Sequence, residues 1–578
     1  GLPFPSLLPS RSSGGYPDPW GTSSPVGTPI HTHTLTHNSL HDPWGTSSPV
    51  GTPIHTHTLT HNSLHDRLLS LWACTSPPQG IQGNVFTSPA AGGQPVHGAK
   101  VIAQVGTQRV ETTTNLNGGF SLQIPGSAQT FSLTVIPPKG QGMAALTFEE
   151  VPLSAYRSPY GAASEMNIYL PAPPSRTLPG YPSRTGYLVG TVSLGGQPVA
   201  SSTPRDLSRL FDPPAPCEDG LVVFGGSRTV TTNAIGQYQI PIASTNNLYA
   251  VSGSLWAGNY TGTDTGNCNT ATEYYWSTFQ YVPEIRVYLN GGTTPQNVSL
   301  EPFDPGANPR VTTLQVAHDY SGLTGFTFDP ANPVWNAFAL TVPSFAHAIS
   351  SGEVELGQYY FFGTMSKTLR VYAIPSGASS QQIALAHLAL RFDPQTLAIK
   401  EFSRVYQWRD GTNLTQGLTA SFLDTPKLQV AEGANLGPNP TLSWSAVSGA
   451  KVYVVSVYDA QGALVWAGFT PTTSMAVPIP LQSGAAYSWD VYTDDQTEIL
   501  DYIGMDPAAL QARLYLDLDR YPRLQGLKTL PIHRYRGELA QAFRESLGLV
   551  PGPQAAYQNL LQKGYRESVS ETRSFTVQ

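Results

Sequence analysis

Apolar side chains recur at every second position in short runs along most of this chain, the period of a strand rather than a helix. Ala99–Val105 and Arg109–Thr114 alternate inward and outward residues. Phe120, Leu122 and Ile124 share one face, and Phe131, Leu133 and Val135 share another. Asn115–Gly119 supplies a turn between such runs. Farther on, Phe338–Val342, Tyr359–Phe362, Leu369–Ala373, Leu388–Phe392, Leu442–Trp444 and Val452–Tyr458 read as further strands. Runs this short and this frequent, bounded by turn residues, predict an all-β, multidomain chain of tandem β-sandwiches. Residues 499–568 have another texture: Leu539, Phe543 and Leu547 are spaced for one helix face and Gly548 follows as a stop. With Pro507, Leu510 and Leu514 before them and Tyr557, Leu560, Leu561 and Gly564 after, they predict a helical insertion. Arg513, Arg520, Arg523, Lys528, Arg534, Arg536 and Arg544 make it basic.

One pattern occurs twice. Gly83-Asn84-Val85, Gly93-Gln94-Pro95-Val96, Thr114-Asn115, Gly118, Phe120 and Ile124-Pro125 are followed by Gly190-Thr191-Val192, Gly196-Gln197-Pro198-Val199, Thr232-Asn233, Gly236, Tyr238 and Ile240-Pro241. In this order the residues resemble the carboxypeptidase regulatory-like domain, a transthyretin-like β-sandwich, over residues 79–173 and again over 186–303. The resemblance implies spacer or accessory modules with no catalytic group of their own. Residues 308–424 predict a third sandwich of no assigned family. Residues 426–578 resemble a fibronectin type III domain carrying the insertion. Trp444 and Val452–Tyr458 match its B and C strands, and Leu481 with Tyr487 matches its tyrosine corner, whose hydroxyl would bond backbone. Thr572–Val577 supplies its last strand.

Residues 1–78 predict a disordered leader. Asp18–His41 is copied without change in Asp42–His65, and Pro, Gly, Ser and Thr dominate, leaving little to bury. The chain starts at Gly1 and its first methionine is Met143, so a fragment, a displaced start or translated repeat DNA is the expectation for this stretch. The leader's His-Thr-His clusters lack a carboxylate or thiolate to complete a metal site, and no metal or other cofactor is expected. Leu71-Trp72-Ala73-Cys74 resembles a bacterial lipobox, which implies acylation of Cys74 and membrane contact through that anchor alone. Cys217 and Cys268 fall within one predicted domain. In an exported protein they are expected to form a disulfide, stabilising by roughly 4 kcal/mol; two reduced, buried thiols are the alternative.

Charged residues make up 12% of the chain and the net charge is −7, with no basic stripe to neutralise phosphates, so nucleic acid is not an expected partner. The chain contains no GxSxG, HExxH, P-loop or GxGxxG signature. His318 and Asp319 are neighbours, but adjacent strand residues face opposite sides of a sheet and do not cooperate easily. No catalytic residue is therefore predicted. Trp256, Tyr260 and Trp276 crowd the second sandwich and suggest a platform on which sugar rings could stack, although core packing accounts for such density as well. The expectation is a non-catalytic scaffold or adhesion protein, secreted or in the cell envelope, meeting an extracellular protein or glycan from a row of separately cored modules. A carbohydrate-binding accessory role is the alternative.

Overall fold

The architecture comes from a computed structural model, which describes residues 79–88, 93–124, 128–156, 165–172, 184–202, 218–224, 228–244, 249–263, 272–347, 353–372, 381–396, 399–410, 414, 416–505 and 564–578. The leader, Cys74, Cys217, Cys268 and most of the expected helical insertion lie outside these residues.

Among the described residues the first module has seven strands: β1 (Gln79–Thr87), β2 (Lys100–Val105), β3 (Gln108–Thr113), β4 (Gly119–Ile124), β5 (Thr130–Ile136), β6 (Ala145–Pro152) and β7 (Glu165–Leu170). β1 pairs antiparallel with β4 and parallel with β7, and the opposing sheet runs β3-β2-β5-β6. In β4 the outward Ser121 and Gln123 alternate with buried Phe120, Leu122 and Ile124, as period two requires of a half-buried strand.

The second module repeats the plan with β8 (Arg184–Leu194), β9 (Gln197–Pro198), β10 (Glu218–Phe224), β11 (Arg228–Thr231), β12 (Gln237–Ser244), β13 (Ala250–Gly262), β14 (Glu273–Tyr288), β15 (Thr293–Pro295) and β16 (Val298–Pro302). β8 pairs antiparallel with β12 and parallel with β15 and β16. The Gly190↔Tyr238 register reproduces Gly83↔Phe120.

A third sandwich follows: β17 (Val311–Asp319), β18 (Ala337–His347), β19 (Glu353–Glu355), β20 (Gly357–Phe361), β21 (Ser366–Tyr372), β22 (Gln381–Phe392), β23 (Ile399–Asp410) and β24 (Leu418–Ser421). Its β21-β17-β24 sheet packs on β20-β18-β22-β23. The last module contains β25 (Ala434–Leu436), β26 (Thr441–Ser443), β27 (Val452–Asp459), β28 (Leu464–Thr470), β29 (Ser474–Ala476), β30 (Ala486–Asp494), the short α1 (Ile499–Tyr502), β31 (Tyr565–Val569) and β32 (Arg573–Val577). β32 pairs with β30 and β25, as expected of the C-terminal strand. The Tyr487 hydroxyl accepts from the Gln482 amide at 2.9 Å, the bond expected of a tyrosine corner.

Two sequence expectations change here. β31 is a strand, although its residues fall almost wholly within the range read as a helical insertion. It lies between β23 of the third sandwich and β30 of the last module, pairing with both. The modules are also not separately cored. The second and last keep cores of their own, around Leu188, Val222 and Ile240 and around Trp444, Trp466 and Trp489. A further apolar cluster runs from Ile81 in the first module through Trp276, Leu340 and Phe469 to Val569. Strand pairing explains this continuity. β14 pairs with β20, β23 with β31 and β6 with β28, so among the described residues one 24-stranded hydrogen-bonded sheet passes through all the modules.

Candidate functional site

The duplicated motif is a backbone clasp. The Thr114 hydroxyl donates to the Val96 carbonyl at 2.6 Å, and Thr232 donates to Val199 at the same distance. Asn115 Oδ1 accepts from the amides of Asn117 and Gly119. Asn233 Oδ1 accepts from Ile235 and Gln237. These Asx turns hold Gly118 and Gly236 at φ 76° and 73°, which a side chain rarely tolerates. A Cβ on Gly83 would strike the Met166 carbonyl oxygen, and one on Gly190 would strike that of Gln296. The sequence signals that stand out most thus act on the chain's own backbone. The tips of the two turns project Leu116 and Ile235, 78% and 60% exposed.

The aromatic cluster of the second module lies elsewhere than a sugar platform needs. Trp256, Tyr260 and Trp276 are all buried, at 5%, 2% and 1% exposure, so their ring faces are covered by protein. Tyr260 meets Trp276 edge-on at 5.2 Å, Trp276 lies 5.4 Å from Phe279, and Phe279 meets Phe303 and Tyr372 at 5.8 and 5.6 Å. The face of β13 and β14 that carries these rings packs against the third sandwich, and the opposite face closes the second module's own core. The expected platform is therefore corrected to an inter-module core.

In the third sandwich the facing sheets bring together His318 on β17, Thr341 on β18 and His387 on β22, with Tyr320 just beyond β17. His318 Nδ1 is 3.0 Å from the Tyr320 hydroxyl. Its Nε2 is 2.8 Å from Thr341 Oγ1, which is 2.9 Å from His387 Nδ1. One proton ordering serves all these contacts: Tyr320 O–H to His318 Nδ1, His318 Nε2–H to Thr341, and Thr341 O–H to His387 Nδ1. That leaves the Nε2–H of His387 facing Gln407. The 3.2 Å approach of His318 Nε2 to His387 Nδ1 is a second leg of the same N–H. Burial, followed by the charge of His387, lowers the pKa of His318 to about 2; burial lowers that of His387 to about 3. Both rings are therefore neutral at physiological pH and sealed in the core. Asp319 faces away, accepting from the Ser321 amide and the Ser421 hydroxyl, so His318 and Asp319 form no acid–base dyad.

A charged node joins the third and last modules. Arg404 on β23 pairs with Glu567 on β31, donates to the Tyr565 hydroxyl at 3.0 Å, and lies 4.8 Å from the Tyr406 ring centroid. Tyr492 on β30 reaches Glu567 at 3.0 Å and Asp494 at 2.9 Å. Asp494 also accepts from the hydroxyls of Thr497 and Tyr502 and from the amides of Gln496 and Thr497. Beside it Glu401 receives both Arg391 and Lys427. All these donors and acceptors belong to the chain itself, so the node binds strand to strand. The sequence hides this node, because β31 falls in the stretch whose spacing reads as helical, and with Tyr565, Glu567, Ser568 and Val569 all buried it shows no clean period-two alternation.

Among the described residues no group of three or more His, Cys, Asp or Glu side chains could hold a metal ion, and no helix is long and apolar enough to cross a membrane. No family model matches the chain, and no curated protein matches it. Among solved structures, the chain is similar to a DUF3823 family protein from Bacteroides ovatus, at 13% identity over 36% of this chain and 90% of that one, with a TM-score of 0.11. It is also similar to a Ca2+-stabilized adhesin with which an Antarctic bacterium binds ice, at 10% identity over 73% and 96% of the two chains, with a TM-score of 0.12. The FN1–FN3 domains of chicken CNTN1 are 12% identical over 53% of this chain and 93% of theirs, with a TM-score of 0.11.

Proposed function

We propose that this protein is a non-catalytic scaffold or adhesion protein of the cell surface or extracellular space, presenting recognition surfaces to an extracellular protein or glycan. The observation that carries this reading is the strand-level fusion of the modules. Ladders at β14–β20, β23–β31 and β6–β28 replace the mobile inter-domain contacts that tandem domains have by default. Buried groups that could have done chemistry are instead engaged in the junctions and cores. In this reading the first two modules are carboxypeptidase regulatory-like, supported by the duplicated clasp, and the last is fibronectin type III-like, supported by the Tyr487 corner. Cys74 would carry the lipid anchor, and Cys217 and Cys268 would close a disulfide in the second module.

Proximity labelling on intact cells tests the location and the partner together. The expected result is labelling by a membrane-impermeant reagent, with the same envelope or extracellular partners recovered in replicate. Labelling only after lysis would overturn the reading. Mass spectrometry of the mature chain checks the anchor, and an unmodified peptide spanning Arg67 to Gln79 would refute it.

A further inference from the structure

Among the described residues, the first module pairs strands with the last module and not with its neighbour in sequence. Ala145–Phe148 of β6 runs parallel to Trp466–Phe469 of β28. The Trp466 indole N–H donates to Thr147 Oγ1 at 3.0 Å, and Phe148 stacks on Phe469 with centroids 4.7 Å apart. Tyr502 of α1 also packs on Phe469, with centroids 5.1 Å apart. Gly468, opposite Thr147, leaves the room that the Trp466 ring fills; a Cβ there would strike that ring and the Met475 sulfur. Without its partner each of β6 and β28 would be an open edge, and open edges seek a strand. Among the described residues no strand of the first module pairs with one of the second, and residues 173–183 are the covalent link between them.

We propose that this docking surface also works between chains, the first module of one copy seating on β28 of a second copy to give an exchanged dimer. The strand pairs, hydrogen bond and ring stack between β6 and β28 join residues about as far apart as Thr147 and Trp466, which are 319 positions apart in sequence. None depends on chain connectivity, so the same hydrogen bonds and the same aromatic stack form in cis and in trans. Only the tether favours cis. It acts as an effective concentration in the mM range for a short linker, which dense surface display or refolding from concentrated solution can match. A second copy is the occupant the surface fits, because it supplies the identical strand, register and ring stack, and symmetric closure leaves no edge open.

Two full-length variants test this. Thr147→Arg places a charge against Trp466 and spares β28, whereas Phe469→Glu spoils β28 and spares β6. Each alone cannot close properly in either mode. Mixed, they share one intact interface, so light scattering should show a species of twice 62.0 kDa that neither forms alone. A mixture of two folded variants that keeps the single-chain mass overturns the proposal. Should either variant fail to fold by circular dichroism, wild-type protein refolded at low and at about tenfold higher concentration decides. A dimer fraction that rises with concentration supports exchange, and one that does not overturns it.

Discussion

Acidification should loosen the third sandwich well before ordinary acid unfolding begins. His318 and His387 stay neutral in the fold down to pKa values of about 2 and about 3, whereas in the unfolded chain each would titrate near 6.5. The unfolded state therefore binds more protons below pH 6.5. Stability is complete above that value and is lost as pH falls toward the folded-state values. Going from pH 7.5 to pH 5 crosses about 1.5 pH units below the unfolded value, which costs about 2 kcal/mol per histidine and about 4 kcal/mol for the pair. The window avoids most carboxylates; those held low, such as Asp319 and Asp393, act only below it. A multidomain chain has no single unfolding free energy, so the assay should be local. Hydrogen exchange of peptides from β17, β18 and β22, corrected for intrinsic rates, reads the opening of this sandwich alone. Opening free energy should fall by about 4 kcal/mol between the two pH values, and His387→Gln should about halve the fall. Equal protection at both pH values, or NMR titration of either ring near pH 6.5, would refute the reasoning.

The Arg404–Glu567 pair predicts an asymmetry. Removing one partner, as Arg404→Met, should lower the opening free energy of β23 and β31, read by hydrogen exchange, by about 3–5 kcal/mol because it strands a buried charge, while Arg404→Met with Glu567→Leu should cost much less. Gly83→Ala, which drives a methyl into the Met166 carbonyl, should lower the opening free energy of β1 and β4, read by hydrogen exchange, by about 2 kcal/mol or more, whereas Gly80→Ala, which meets only the flexible Gln123 side chain, should stay within about 0.5 kcal/mol. Glu149 has its pKa raised chiefly by burial, against a hydrogen bond from Thr470. Its folded state holds the extra proton, so its penalty is present at neutral pH and fades as pH falls toward the usual carboxylate range. Glu149→Gln should therefore raise the opening free energy of β6, read by hydrogen exchange, at pH 7 and lose that advantage at pH 4.5; an unchanged difference would count against it.

Local chemistry was legible in the residues. Period-two alternation determined β4, and the repeated motif carried the same strand over to β12. The Thr-Asn-x-x-Gly runs determined the two turns, because an Asx turn and a left-handed glycine need nothing beyond their own backbone. Trp444, Tyr487 and the C-terminal strand were readable through the resemblance to a fibronectin type III domain, and His318 and Asp319 could be separated because strand geometry alone puts them on opposite faces. What the alternation left open is what covers each face. A tryptophan on β14 looks the same in sequence whether sugar, solvent or another module lies against it, and only the tertiary packing of Trp276 into the cluster shared with the third sandwich buried it. β31 was invisible for a related reason: five residues between two modules acquire their meaning from β23 and β30, more than 150 and 70 positions away. Tertiary structure likewise seated the first module on the last and sealed His318 against Thr341. Hydrogen bonding along a strand edge depends on which edge arrives, and sequence spacing does not encode that.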